Sequence, residues 1–154
     1  MQKDTIPSES EAFDRAASLC SRSEYCTSQI GEKLYRWGLP AEVRERVLAR
    51  LVAERYIDES RFARAYALDK LRYNHWGRVK IDQMLSMLDI PADARQAAID
   101  ELPEDEYESI LHRLVEQKWP SIQGRSDYER RAKLARYLVG KGFEASLAFR
   151  MLDD

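Results

Sequence analysis

The same three-helix pattern can be read three times along these 154 residues, and no other feature narrows the possible folds so far. Lys33-Leu34-Tyr35-Arg36-Trp37-Gly38-Leu39-Pro40 returns as Met84-Leu85-Ser86-Met87-Leu88-Asp89-Ile90-Pro91, and again as Tyr137-Leu138-Val139-Gly140-Lys141-Gly142-Phe143-Glu144. Leu34, Leu85 and Leu138 correspond, at spacings of 51 and then 53 residues. A repeat of this period signals stacked supersecondary units, which form extended binding surfaces more naturally than closed catalytic clefts. Units of about 50 residues lie near the lower limit for independent folding, so neighbouring units are expected to stabilise one another.

Helical periodicity runs throughout, and no segment alternates apolar and polar residues over a strand length. In the middle helix of each unit, Ile30/Leu34, Ile81/Leu85 and Leu134/Leu138 lie four apart on one face. The last helices repeat a wider stripe: Val43, Val47, Leu48 and Leu51, then Ala94, Ala98, Ile99 and Leu102, then Leu147, Met151 and Leu152. First helices are expected near 8–20, 59–72 and 104–119, with a loop around Pro120 and Gly124 in the third unit. Ser23, Asn74 and Asp127 are expected to cap the middle helices through a side-chain oxygen. Gly38, Asp89 and Gly142 stand where those helices must stop in a left-handed residue, and Pro40 and Pro91 suit the opening of the last helix. The expectation is an all-α chain of three tandem units, at 8–55, 56–102 and 103–154, after a disordered N-terminus at 1–7.

Charge and cysteine usage bound the setting. A net charge of -2, from 25 basic and 27 acidic residues, excludes a uniformly basic DNA-coating protein but allows a local basic face. Cys20 and Cys26 do not form a CxxC pair, so a reducing cytoplasm is the expected compartment. The first ten residues contain no apolar stretch of the signal-peptide kind, and no run approaches a transmembrane length. A soluble cytoplasmic protein, monomeric by default and without a membrane partner, is expected.

The most specific stretch begins at Tyr56-Ile57-Asp58-Glu59-Ser60-Arg61-Phe62-Ala63-Arg64-Ala65-Tyr66. It continues through Gly77-Arg78-Val79-Lys80-Ile81-Asp82-Gln83-Met84-Leu85 to Leu88-Asp89-Ile90. These residues resemble the RecX family, regulators of the RecA recombinase. The similarity spans the chain from about Glu11 to Leu152 and departs at Asp89, where the family usually has glycine. The resemblance implies tandem three-helix units in an elongated, curved molecule. It further implies binding within the groove of the RecA–single-stranded DNA filament, and modulation, foremost inhibition, of RecA recombinase, ATPase and coprotease activities. DNA repair, recombination and the SOS response are the processes it would touch.

Read from the residues alone, two basic clusters are candidates for filament or DNA contact. The first comprises Arg61, Arg64, Lys70, Arg72, Arg78 and Lys80 against the single acid Asp69, with Tyr66, Tyr73, His75 and Trp76 interleaved. The second comprises Arg130, Arg131, Lys133, Arg136 and Lys141, with Arg125 beside it. Basic residues near aromatics can hold phosphates and stack unpaired bases, and they can equally be solvated helix faces. Phe62, Tyr66 and Trp76 are read as core, because helix-spaced aromatics usually pack. A separate acidic patch, Asp100-Glu101 with Glu104-Asp105-Glu106, surrounds Pro103.

Enzymatic motifs are not found. His75 and His112 are the only histidines, outside any HExxH pattern, and there is no phosphate-binding glycine loop or nucleophile elbow. A zinc site from Cys20, Cys26 and a histidine would need ligands from separate units. The expectation is a non-enzymatic regulator without cofactor. The alternative is a direct DNA-binding module of helix-turn-helix type, using the Gly38-Leu39-Pro40 link or the Gly142-Phe143 turn.

Overall fold

The structure, a computed structural model, describes residues 5–153. Of the expected disordered N-terminus, residues 1–4 lie outside the described residues, while Pro7 is buried just ahead of the first helix. Among the described residues there are nine α-helices and no strand. The first unit contains α1 (Glu9–Arg22), α2 (Thr27–Arg36) and α3 (Ala41–Ala53). The second contains α4 (Glu59–Asn74), α5 (Arg78–Met87) and α6 (Ala92–Asp100). The third contains α7 (Glu104–Lys118), α8 (Asp127–Gly140) and α9 (Ala145–Asp153), with a 3-10 turn at Trp119–Ser121 after α7.

The repeat governs the interior. Leu34, Leu85 and Leu138 are all fully buried, as are Ile30, Ile81 and Leu134 one turn earlier. After each repeat leucine the chain reverses identically. Gly38, Asp89 and Gly142 take φ of 89°, 61° and 99°. The next residue's N–H then donates back to the leucine carbonyl, from Leu39 at 3.3 Å and from Ile90 and Phe143 at 3.1 Å. Leu39, Ile90 and Phe143 are themselves buried, so each reversal is pinned by a hydrogen bond and an apolar anchor together. Asp89 holds this left-handed position without glycine, as a short polar side chain can.

The helix starts differ from those expected. Ser23 ends α1, Asn74 is the last residue of α4, and Asp127 is the first of α8. The middle helices are capped instead by Cys26, Gly77 and Ser126. The Ser126 hydroxyl accepts the Glu129 N–H at 3.1 Å, the bond expected of an N-cap one residue further on. Equivalence in repeat register therefore did not mean equivalence in cap geometry. Against the repeat leucine, α8 begins four residues earlier than α2 and α5, so part of the third unit's insertion forms an extra helical turn and not only a loop.

The three units share two cores, not three. Ala12, Phe13, Ile30, Leu34, Val47 and Leu51 close one core within the first unit, with Ile57 added from the junction. A second, continuous core runs from Phe62 through Ile81, Leu85, Leu111 and Leu134 to Phe143, and takes in Cys26 from the first unit. The accessible surface is 9840 Å², against about 8,000 Å² for a compact chain of this mass. That excess fits units strung along an axis.

Candidate functional site

Both seams between units follow one plan. At the first, the N-terminus of α2 meets the turn after α5. The Thr27 N–H donates to the Glu59 carboxylate at 2.8 Å, the Thr27 hydroxyl donates to the same oxygen, and the Ser28 hydroxyl donates to the Leu88 carbonyl at 2.8 Å. At the second, the N-terminus of α5 meets the turn after α8. The Gly77 N–H donates to the Lys141 carbonyl and the Val79 N–H to the Gly142 carbonyl, both at 2.9 Å. Leu88 and Lys141 are equivalent in the repeat, and so are Thr27 and Arg78. Arg78 meets Glu104, which opens α7 as Glu59 opens α4. The first N–H groups of a helix lack intrahelical acceptors, so the next unit satisfies them, and opposite helix poles face each other across the seam.

The second seam carries a polar network absent from the first. The fully buried Tyr107 accepts the Arg78 N–H at 3.0 Å and donates its own proton to Glu144. The Arg78 guanidinium lies 3.8 Å from the Tyr107 ring centroid and reaches Glu144 at 2.7 Å and Glu104 at 2.5 Å. Burial pushes the Tyr107 hydroxyl well above the usual tyrosine range, and its bond to Glu144 adds to this. Burial also pushes the Glu144 carboxyl up, but the Tyr107 hydroxyl and Arg78 outweigh it and leave the carboxyl below its ordinary value.

Most of the first basic cluster is consumed by the fold. Arg61 bonds Glu24 at 2.5 Å and the Tyr56 carbonyl at 3.2 Å, tying the first two units together. Arg64 faces Glu101 at 3.8 Å, and Arg72 makes two bonds to Glu106, at 2.7 and 3.0 Å. The acidic patch around Pro103 is thus the partner of the basic run, and sequence distance concealed the pairing. In the second cluster, Arg130 stacks 3.8 Å from the Trp119 centroid and bonds the Trp119 and Ile122 carbonyls at 3.0 Å. Lys133 donates to the Gln123 carbonyl at 2.7 Å. These bonds fold the 119–125 segment over the start of α8. Arg131 and Arg136 are exposed, and among the described residues neither meets a carboxylate.

Lys70, Lys80 and Lys141 remain, and they come together. His75 takes a left-handed φ of 56°, and the Trp76 N–H returns to the Lys70 carbonyl at 3.1 Å, so Trp76 folds back over the last turn of α4. Lys70 and Lys80 place their ammonium groups 5.1 and 4.6 Å from the Trp76 centroid, and Lys70 also lies 5.3 Å from the Tyr66 centroid. Lys141 donates to the Asn74 carbonyl at 2.9 Å. Phe62 is buried, and Tyr66 and Trp76 are partly buried against the core, as expected of helix-spaced aromatics. The Gly142-Phe143 turn is buried within the seam, so it is a joint between units and not a free reading turn.

Sequence reasoning missed Thr27, Glu59, Tyr107 and Glu144. Glu59 and Glu104 at matching helix starts were a signal for the joint, but nothing in the pattern marked Tyr107. The described residues contain no cluster of three His, Cys, Asp or Glu side chains able to hold a metal, and no helix long and apolar enough to cross a membrane.

Three family descriptions fall on the chain in order: the first three-helix domain of RecX matches residues 12–51, the second 58–99 and the third 104–152. The chain belongs to the RecX family. Relatives named regulatory protein RecX include one from Prosthecochloris aestuarii, 29% identical across 94% of this chain and 93% of that protein. Another, from Syntrophotalea carbinolica, is 26% identical across 94% and 95%. Among solved structures, a regulatory protein RecX superposes with a TM-score of 0.85 at 21% identity, covering 95% of this chain and 72% of that one. RecX from Lactobacillus salivarius gives 0.83 at 16%, covering 94% of both. The RecX fold, three three-helix units in tandem, is therefore the fold of this chain, and the family it joins is named for regulation and not for catalysis.

Proposed function

We propose that this chain regulates the RecA recombinase by lying along the RecA–single-stranded DNA filament and bridging neighbouring subunits, with inhibition of RecA recombinase, ATPase and coprotease activity as the outcome. The observation that carries this reading is the match of all three RecX domains, in order, to one continuous chain. The mechanism is geometric. Units joined by hydrogen-bonded seams keep a fixed spacing, and an array of fixed spacing can engage several subunits of a helical filament at once. Occupying the groove obstructs the entry of a second duplex. Basic side chains left outside the seams supply charge toward the strand or toward acidic filament surface. The site is the cytoplasm, and the acting species is a monomer.

The test is affinity for a bare oligonucleotide against affinity for the same oligonucleotide coated with RecA. Strong preference for the coated strand is expected. Equal affinity for both would favour a plain DNA-binding module.

A further inference from the structure

The lysines at the second seam gather around aromatic rings and a backbone carbonyl, with no carboxylate among their partners in the described residues. Lys70 and Lys80 share the Trp76 ring, so their ammonium groups can be no farther apart than the two centroid distances combined. Lys141 is held below the ordinary lysine range by burial and by the repulsion of Lys80. Among the described residues none of the three meets a carboxylate within 4.0 Å, although Arg64, Arg72 and Arg78 on the same unit all do. The backbone that carries the cluster is fixed. The left-handed turn at His75 sets the backbone that carries Trp76, and the close approach of Gly77 to Gly142 sets the Lys80 backbone beside the turn that follows Lys141. Like charges brought to one seam by a fixed backbone are relieved by an anion.

The side-chain types narrow the anion. Arginine, whose planar fork suits carboxylates, makes all but one of the ion pairs found among the described residues, the exception being Lys133 with Glu129. Compact, rotatable ammonium groups act on phosphate as point charges. Tyr73 lies three residues after Lys70 on α4, a neighbouring surface position, and its ring is 80% exposed, which leaves a flat apolar face free beside the lysines.

We propose that Lys70, Lys80 and Lys141, gathered about Trp76 at the seam of the second and third units, bind phosphates of a single-stranded nucleic acid while Tyr73 stacks one of its bases. This site rests on the filament reading for the source of the strand, and it places the strand on lysines that meet no carboxylate among the described residues, ahead of Arg64, Arg72, Arg78 and Arg130, which the fold pairs.

The test measures binding of the purified full chain to a labelled oligothymidylate, without RecA, across a salt series. Each single-strand phosphate contact contributes roughly 0.7 to the logarithmic salt slope. K70Q/K80Q should therefore lower the slope by about 1.4, and adding K141Q should lower it by about 2. Y73A should weaken binding about tenfold at unchanged slope. R131Q/R136Q should keep the parental slope. Circular dichroism checks that helicity is intact, and the double variant, which removes no hydrogen bond to the backbone, guards against misfolding of the triple. The proposal is overturned by an unchanged slope in both lysine variants, by a slope carried on Arg131 and Arg136, or by no oligonucleotide binding at low salt. Competition by polyglutamate equal to that of an oligonucleotide of matched charge overturns it in favour of an acidic protein surface. A parental chain that binds bare strand through these lysines yet shows no preference for a RecA-coated strand would defeat the filament reading alone.

Discussion

Gly77 and Gly142 approach so closely that a Cβ on Gly77 would lie 2.4 Å from the backbone of Gly142, and one on Gly142 would lie 2.3 Å from the Lys80 Cβ. Gly142 is doubly constrained, because its φ of 99° is also costly for any residue with a side chain. The seam between the second and third units therefore requires two glycines from distant parts of the chain. Gly77→Ala and Gly142→Ala should each lower stability by about 2–3 kcal/mol or more, through overpacking and, at Gly142, backbone strain. Gly140→Ala, where nothing lies within 4 Å of the new methyl, should be neutral or slightly stabilising. Thermal denaturation of the three variants checks the contrast.

Tyr107→Phe should destabilise the chain by about 1–3 kcal/mol in urea unfolding. The deletion leaves the Arg78 N–H and one Glu144 oxygen without the hydroxyl between them, in surroundings where water does not replace it freely. Loss of only a few tenths of a kcal/mol would mean that the network relaxes around the missing group.

The division into two cores predicts where cooperativity breaks. Leu34→Ala, Leu85→Ala and Leu138→Ala should each cost on the order of 2–5 kcal/mol. Leu34→Ala should raise hydrogen exchange in α1–α3 and spare α5 and α8, whereas Leu85→Ala should loosen α8 along with α5, since Leu85 and Leu138 sit in one core. Exchange that rises only within the mutated unit in all three variants would indicate three independent cores.

Helix caps separate the true starts from those suggested by register. Ser126→Ala and Asp58→Ala should each cost about 1 kcal/mol, and Ser23→Ala should be close to neutral. Asp58 adds a pH signature. The Arg61 N–H bonds its carboxylate and lowers its pKa below the reference 3.8. A carboxyl with a depressed folded pKa contributes its stability above the unfolded value and loses it as pH falls through the folded one. The difference between the parental chain and Asp58→Asn should therefore be full at neutral pH and shrink below pH 3.8. A difference independent of pH would show that the charge of Asp58 does not matter to the cap.

The architecture was legible where local physics repeats. Ile30, Ile81 and Leu134 with their partner leucines kept helical spacing, and Gly38, Asp89 and Gly142 marked the reversals, because a left-handed turn restricts residue choice. The caps were misplaced because Ser23, Asn74 and Asp127 are all plausible capping residues by type, and only the chain path decides which oxygen faces which N–H. The candidate site was legible in part. The basic run at 61–80 was visible, but its partners at 101–106 become neighbours only when α6 packs on α4 and carries the start of α7 to it. Tyr107 carried no signal in the pattern, and its hydroxyl gains a role only once Glu144 arrives from the far end of the chain.

The most direct measurement of the account is RecA ATPase activity on single-stranded DNA, with and without the purified chain. Inhibition that grows with protein concentration, and that weakens when Gly142→Ala loosens the second seam while the protein stays helical, is the predicted result. An ATPase rate unaffected by saturating amounts of the parental chain would contradict it.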